Sequence, residues 1–450
     1  MNKLALKEKI IAVADERMNN ATVRKLWHSF SFTMSEIDFE KGDEFTFRVG
    51  DTALPTLDRG KEYALCVDEK GIAVKGRDFG GLMRGVMSLL MKIEYGEDAP
   101  IIKYTAEQSE YRIKNRMIHI CVFPENDIYF IKKLIRLCAL CQYTHIVIEF
   151  WGMLRYDCLK ELSWPNAFTK DQARELITEC RELGIEPIPM FNQLGHATAC
   201  RLIYGKHVVL DQNPRLQYLF TPDGWAWDIH SEKVRALLKT IRKELYELFG
   251  DGEYIHVGCD EAYYYTRSAE DRKKMPAFLK ELTDEVVSEG RRPMIWMDML
   301  LERDKYNDKY RAYATCEPDE VEIMQESLNP KTVMVDWQYN MPEAPIETTV
   351  SLKDNIRDTL GAPWFKKENY CAFVDTVAQL EMHGIMMTTW HTLKDHMESV
   401  LGCAKKCGAK SFVWSDCSGL REETATMLRR VSFEGNEYTD CGWSKYQIEI

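Results

Sequence analysis

Residues 254–265 read YIHVGCDEAYYY, an apolar run that stops on two adjacent carboxylates, Asp260 and Glu261. Like charges this close raise the apparent pKa of one member, so the pair costs stability unless something uses it. The same grammar, a short apolar run followed by polar or reactive residues, recurs from about residue 111 onward. Runs of strand length fall at 116–122, 145–150, 186–190, 254–257, 293–296, 332–336, 385–389 and 411–414. DIYFIKKLIRLCALCQY (127–143) has helical periodicity between the first two. TKDQARELITECRELG (169–184) precedes the third, with Thr169 suited to cap a helix and Gly184 to stop it. Strands alternating with helices imply a parallel sheet, and eight such units imply a (β/α)8 barrel over residues 109–450. RAYATCE (311–317) competes for a strand place.

Residues 1–108 have a different pattern and are expected to form a small α/β accessory domain. EFTFRV (44–49) is strand-like, and EYALCVDEKGIAVKG (62–76) alternates on both sides of Glu69-Lys70-Gly71, a hairpin signal. Leu82, Met83, Val86, Leu89, Leu90 and Ile93 then follow at helical spacing. A hydrophobic content of 45% supplies ample core and excludes general disorder. The net charge of -12 argues against nucleic acid or an anionic membrane as partner, since both select clustered Lys and Arg. No run has the length of a membrane span, and the N-terminal 18 residues lack a signal-peptide core. Cys138 and Cys141 form a C-x-x-C without a second pair at zinc spacing, so they read as buried thiols on a helix. The expectation is a cytoplasmic protein with no metal and no cofactor.

In a (β/α)8 barrel, reactive groups belong at the C-terminal ends of the strands. Those ends carry Glu149, then Asn192 to His196, then Asp260-Glu261, Trp296-Met297-Asp298, Asp336-Trp337-Gln338-Tyr339, Trp390-His391 and Trp414-Ser415-Asp416. Indole faces suit the apolar face of a pyranose, and carboxylates suit its hydroxyls. Each tryptophan alone reads as core, but four at equivalent strand ends point to an oligosaccharide or glycoside substrate.

HVGCDE (256–261) resembles the signature of family 20 glycoside hydrolases, the β-N-acetylhexosaminidases, and the likeness runs along nearly the whole chain in order. It implies an exo-acting hydrolase that removes a non-reducing terminal β-linked GlcNAc or GalNAc with retention. In that chemistry the substrate's own 2-acetamido oxygen is the nucleophile. The resemblance assigns Asp260 to orient the acetamide and stabilise its developing positive charge. It assigns Glu261 to protonate the leaving oxygen and then activate water. The adjacent Asp260 charge would help keep Glu261 protonated, so the repulsion becomes useful. It further implies sugar binding by Arg116, support of the carboxylates by His196 in LGHATACR (194–201), and an aromatic pocket from Trp296, Trp337 and Trp414; Trp390 is expected to join them from its own strand end. Asp416 stands where the family usually carries a glutamate for the O4 and O6 hydroxyls.

The chain departs from the family at three places. Cys259 stands where a small residue is usual, and with no base beside it reads as structural. Strand two offers Glu149 in place of an acid pair, either as a substitute or to orient Arg116. The tyrosine expected on the acetamide is replaced by His391, with Tyr339 able to deliver the same hydroxyl. Two rival readings follow: a catalytically silent sugar-binding barrel, or a hydrolase of a differently 2-substituted hexosaminide. The long segment 201–235, with Trp225 and Trp227, is either a wall on the leaving-group side or packing on the barrel rim. Oligomeric state is not legible.

Overall fold

The computed structural model describes residues 2–198, 209–310, 314–391, 393–408 and 419–432. Eight parallel strands close into a barrel: β1 (Asn115–Cys121), β2 (His145–Glu149), β3 (Glu186–Met190), β4 (Tyr254–His256), β5 (Arg292–Trp296), β6 (Val333–Trp337), β7 (Asp358–Ala362) and β8 (Gly384–Thr389). β8 pairs with β1 along six residues, from Gly384↔Asn115 to Thr389↔Ile120, and this seals the ring. Alternation along each strand sends one set of side chains inward. Met117, Val147, Ile188, Met190, Met294, Val333, Val335 and Met386 fill the lumen, with Trp296 among them.

Seven of the expected strands are present, but their numbering shifts by one near the end. The run at 385–389 is the eighth strand, and the seventh is DTLGA at 358–362. That strand was hidden because it carries no bulky alternation. Its outward position 361 is constrained to be small: a Cβ at Gly361 would stand 2.6 Å from the Phe373 ring of the helix packed outside it. The segment 411–414, expected as the last strand, lies outside the described residues, and the barrel closes without it. The competing segment 311–317 gives no strand among its described residues; Cys316 makes only an isolated bridge to Glu302.

The connecting helices form where the periodicity predicts. Asp127 caps Ile128–Leu140 through the Phe130 N–H. Thr169 and Gln172 form a reciprocal capping box on Lys170–Glu182, and Gly184 follows at φ +70°. Cys138 and Cys141 are buried beneath this layer, and burial pushes both thiols up. No helix of the described residues is long and apolar enough to cross a membrane.

Before the barrel, six strands form a mixed sheet in the spatial order 36–41, 9–14, 46–50, 71–76, 63–68, 105–108. The hairpin expected around Glu69-Lys70-Gly71 pairs Asp68 with Gly71, and Asp68 Oδ1 accepts both the Lys70 and Gly71 N–H groups. Two helices, Ala21–Phe30 and Phe79–Met91, pack on this sheet.

Arg116 is a correction. It was expected among the sugar-binding residues, but it lies near the N-terminal end of β1, at the mouth opposite Asp260 and Glu261. Its guanidinium is buried at the seam between sheet and barrel, where it donates to both oxygens of Glu62 at 3.0 and 2.9 Å. It also donates to the carbonyls of Gln142, Ile113 and Lys114 and lies over the Tyr111 ring. Burial alone would raise the Glu62 carboxyl, but Arg116 and Arg84 more than offset it and hold it below the usual carboxylate range. The guanidinium thus ties Glu62 of the sheet to backbone carbonyls on the barrel side.

Asp336 is buried on the outer side of β6, where its Oδ2 accepts the Thr348 and Thr349 hydroxyls at 2.7 and 2.6 Å. Burial pushes its carboxyl from 3.8 up to about 6, against the lowering effect of these bonds. A folded-state pKa above the unfolded value means that the folded chain binds this proton more tightly. Its contribution is therefore full below about pH 4 and is lost as pH rises to about 6. Asp336→Asn is expected to flatten this part of the stability profile and to raise stability at pH 7. Urea midpoints measured from pH 4 to 7 check it; an unchanged slope would sink the prediction.

Candidate active site

The apolar run of β4 ends at His256, and the next five residues turn sharply across the barrel mouth. Gly258, Cys259 and Glu261 all have positive φ, at +69°, +76° and +49°. For residues with a Cβ this region costs on the order of 1–2 kcal/mol each. The turn is pinned from every side. The Gly258 N–H donates to His256 Nδ1 at 3.0 Å, the Gly258 carbonyl accepts from the Trp296 N–H, and the Gln193 N–H donates to the Val257 carbonyl. Close approach also dictates residue size: a Cβ at Gly195 would stand 1.8 Å from the Asp260 carbonyl oxygen.

This turn sets Asp260 and Glu261 side by side. His196, itself at φ +52°, reaches both with one ring nitrogen: Nε2 lies 3.3 Å from Asp260 Oδ2 and 2.8 Å from Glu261 Oε2. Trp151 and Trp225 enclose the imidazole, with ring centroids at 6.4 and 4.7 Å. Cys259 faces away into the core, and burial, with Asp260 and Asp298 adding to it, pushes its thiol well up. It stays a protonated packing group.

A third carboxyl group stands behind the pair. Asp298, just beyond β5, is buried, accepts the Glu261 N–H at Oδ2 (3.0 Å) and accepts the Trp337 indole N–H at Oδ1 (3.2 Å). Burial, followed by the nearby Asp260 and Glu261, raises its carboxyl well above the ordinary range.

The opposite side of the mouth is aromatic. Trp337 stacks on Tyr339 at 4.9 Å and 29°, and Tyr339 meets Trp364 at 5.1 Å. The Trp390 indole N–H donates to the Tyr339 Oη at 3.0 Å. Burial raises the Tyr339 phenol far above its usual value, and the negative charges of Asp260 and Glu261 add to the shift. Its hydroxyl therefore remains a proton donor. His391 is instead exposed on the rim, against the edge of Trp364 at 5.8 Å. Of the two residues able to replace the missing tyrosine, Tyr339 is the one inside.

Below these groups lies a buried polar layer. Glu149 is fully buried, 2.8 Å from His119 Nε2, and accepts from Asn192 Nδ2 at 3.3 Å. Glu149 therefore does not orient Arg116, which is at the other end of the barrel. Trp296 is completely buried, its ring 4.4 Å from His256 and 6.2 Å from both His119 and Trp390. It offers no surface for a sugar to pack on, against its expected place in an aromatic pocket. Trp414 and Asp416 lie outside the described residues.

Two residues of this site, His119 and Trp364, went unread in the sequence, and two more, Asp298 and Trp225, were named there without a settled role. His119 occupies an inward position two residues after the lumen residue Met117, a parity signal that was available. Asp298 stands two residues after Trp296 at a strand end. Trp364 follows β7, so missing that strand hid it. Trp225 had been left open between wall and rim; its indole N–H donates to the Glu261 carbonyl at 2.7 Å, and it stacks on Tyr263 at 6.3 Å.

The family model described as the glycosyl hydrolase family 20 catalytic domain matches residues 148–340, the span that contains Glu149, His196, Asp260, Glu261, Asp298, Trp337 and Tyr339. The chain is 21% identical over 402 residues to a lacto-N-biosidase of Bifidobacterium bifidum, covering 86% of this chain and 34% of that protein. The chain thus spans about a third of the length of that curated relative. In fold it is similar to an exo β-N-acetylglucosaminidase from Vibrio harveyi (TM-score 0.69, 15% identity, 96% of this chain and 75% of that one). It is similar also to the β-N-acetylhexosaminidase of Streptomyces coelicolor A3(2) (TM-score 0.68, 14% identity, 97% and 95%). The N-acetyl-β-hexosaminidase of Streptomyces plicatus gives a TM-score of 0.67 at 13% identity, over 96% and 92%. The match to the glycoside hydrolase family 20 catalytic domain thus lies on the strands that gather the two carboxylates, and residues 148–340 carry it.

Proposed function

We propose that this glycoside hydrolase removes single β-linked N-acetylhexosamine residues from non-reducing ends, with retention and with the substrate's acetamide as nucleophile. The observation that carries this reading is the sharing of one His196 nitrogen by Asp260 and Glu261. Glycosidases that use two carboxylates directly place them on opposite faces of the scissile bond. Two neighbours on one imidazole sit on one wall, so the attack from the far side falls to the substrate itself. Glu261 then acts as general acid and base. Asp260 orients the acetamide N–H and steadies the charge of the oxazolinium-like intermediate. The Tyr339 hydroxyl donates to the acetamide oxygen, and Trp337 and Trp390 enclose the ring. The aromatic groups gathered on one side of the mouth support an exo action on one sugar.

Residues 109–450 supply the catalytic unit in this reading, and residues 1–108 the accessory unit. The free cysteines among the described residues support a reducing, cytoplasmic setting. Purified protein should hydrolyse aryl β-N-acetylglucosaminides or β-N-acetylgalactosaminides, release the β-anomer first, and be inhibited by a thiazoline mimic of the intermediate. Turnover with inversion, or turnover untouched by the thiazoline, would exclude the acetamide as nucleophile. Failure to turn over either glycoside would leave a sugar-binding barrel or another 2-substituent as the better account.

A further inference from the structure

The backbone of Glu261 lies in the left-handed region at φ +49°. A residue with a Cβ stays there only where its surroundings impose it. Side chains from two other barrel loops grip it from both ends. Its N–H donates to Asp298 Oδ2 at 3.0 Å, and its carbonyl accepts from the Trp225 indole at 2.7 Å. The other Asp298 oxygen accepts from the Trp337 indole at 3.2 Å. One carboxyl group therefore joins the Glu261 backbone to the aromatic wall of the sugar pocket. Two N–H donors converge on Asp298, and a carboxyl group offers each an oxygen. An amide has one oxygen only, so Asn would turn its NH2 toward one of the two donors.

We propose that Asp298 is a positioning residue that, with Trp225 gripping the carbonyl of Glu261, aims the Glu261 carboxyl at the leaving-group oxygen. This rests on the reading of Glu261 as the general acid. Neither residue needs to touch the transferred proton. A displacement of about 1 Å at a reacting group is enough to cost on the order of 10²-fold in rate. The consequence is specific: loss of aim matters most when the leaving group needs a proton.

The test is kcat/KM for a series of aryl β-N-acetylglucosaminides, from phenyl to 2,4-dinitrophenyl, with Asp298→Asn, Trp225→Phe and Glu261→Gln beside the wild type. Asp298→Asn and Trp225→Phe should lose roughly 10- to 100-fold on the phenyl glycoside and less than about threefold on the dinitrophenyl one, with KM little changed. An equal loss across the series in both variants would overturn the proposal, because a merely structural role lowers all substrates together. Trp225→Phe keeps an aromatic ring while removing the N–H, so it carries the test alone if Asp298→Asn does not fold. A flat series for Glu261→Gln would instead remove Glu261 as the acid and take this proposal with it. A steep series for Glu261→Gln with flat ones for the other two would remove the positioning role alone.

Discussion

Glu261→Gln should lower kcat/KM for an unactivated β-N-acetylhexosaminide by about 10²–10⁴-fold, the range that a positioned proton donor supplies. Gln keeps the size and the φ of +49° but has no proton to give at the required acidity. A dinitrophenyl leaving group needs little protonation, so the first step should survive with that substrate and the variant should stall at hydrolysis of the intermediate. Azide, which attacks without a general base, should then restore turnover. Asp260→Asn should behave differently. It removes the charge that steadies the intermediate, so both steps suffer, and neither a better leaving group nor azide should rescue it. Equal rescue of the two variants would contradict the separate roles given to these neighbours.

Arg116→Met should destabilise the protein and leave its sugar binding alone. The residue bridges Glu62 of the N-terminal sheet to the carbonyls of Ile113, Lys114 and Gln142, with its guanidinium buried. Removing one partner of a buried ion pair costs roughly 3–5 kcal/mol. Arg84 remains beside Glu62 and should keep the loss at the lower end of that range. The expected result is a lower urea midpoint with KM unchanged under native conditions. A raised KM in a variant of unchanged stability would return Arg116 to the substrate, against its place at the far mouth of the barrel.

The contrast between these two residues shows how far a sequence can be read. Strand-ending acids at 260 and 261 could be placed because a polar residue straight after an apolar run has nowhere to go but the barrel mouth. Arg116 also sits in a strand, but at its beginning, and strand polarity sends the beginning to the opposite mouth. The likeness to a family supplied its role without its depth along the strand. β7 was missed for another reason: its Gly361 admits the Phe373 ring, a partner twelve residues away along the chain. With β7 went Trp364 and the correct number of the strand that ends at Trp390.

From sequence alone came the alternation of strands and helices, the cap at Thr169, the hairpin at 68–71 and the adjacent carboxylates. All of these are local, because a hydrogen-bonded turn or an amphipathic period is written within a few residues. Only the tertiary structure brought His196 onto both carboxylates, put Tyr339 inside and His391 on the rim, and buried Trp296 completely. Those outcomes depend on where β2 to β8 converge, and on which side chains fill the space first. The left-handed backbone of Glu261 belongs with them, since Asp298 and Trp225 hold it from positions 37 and 36 residues away along the chain.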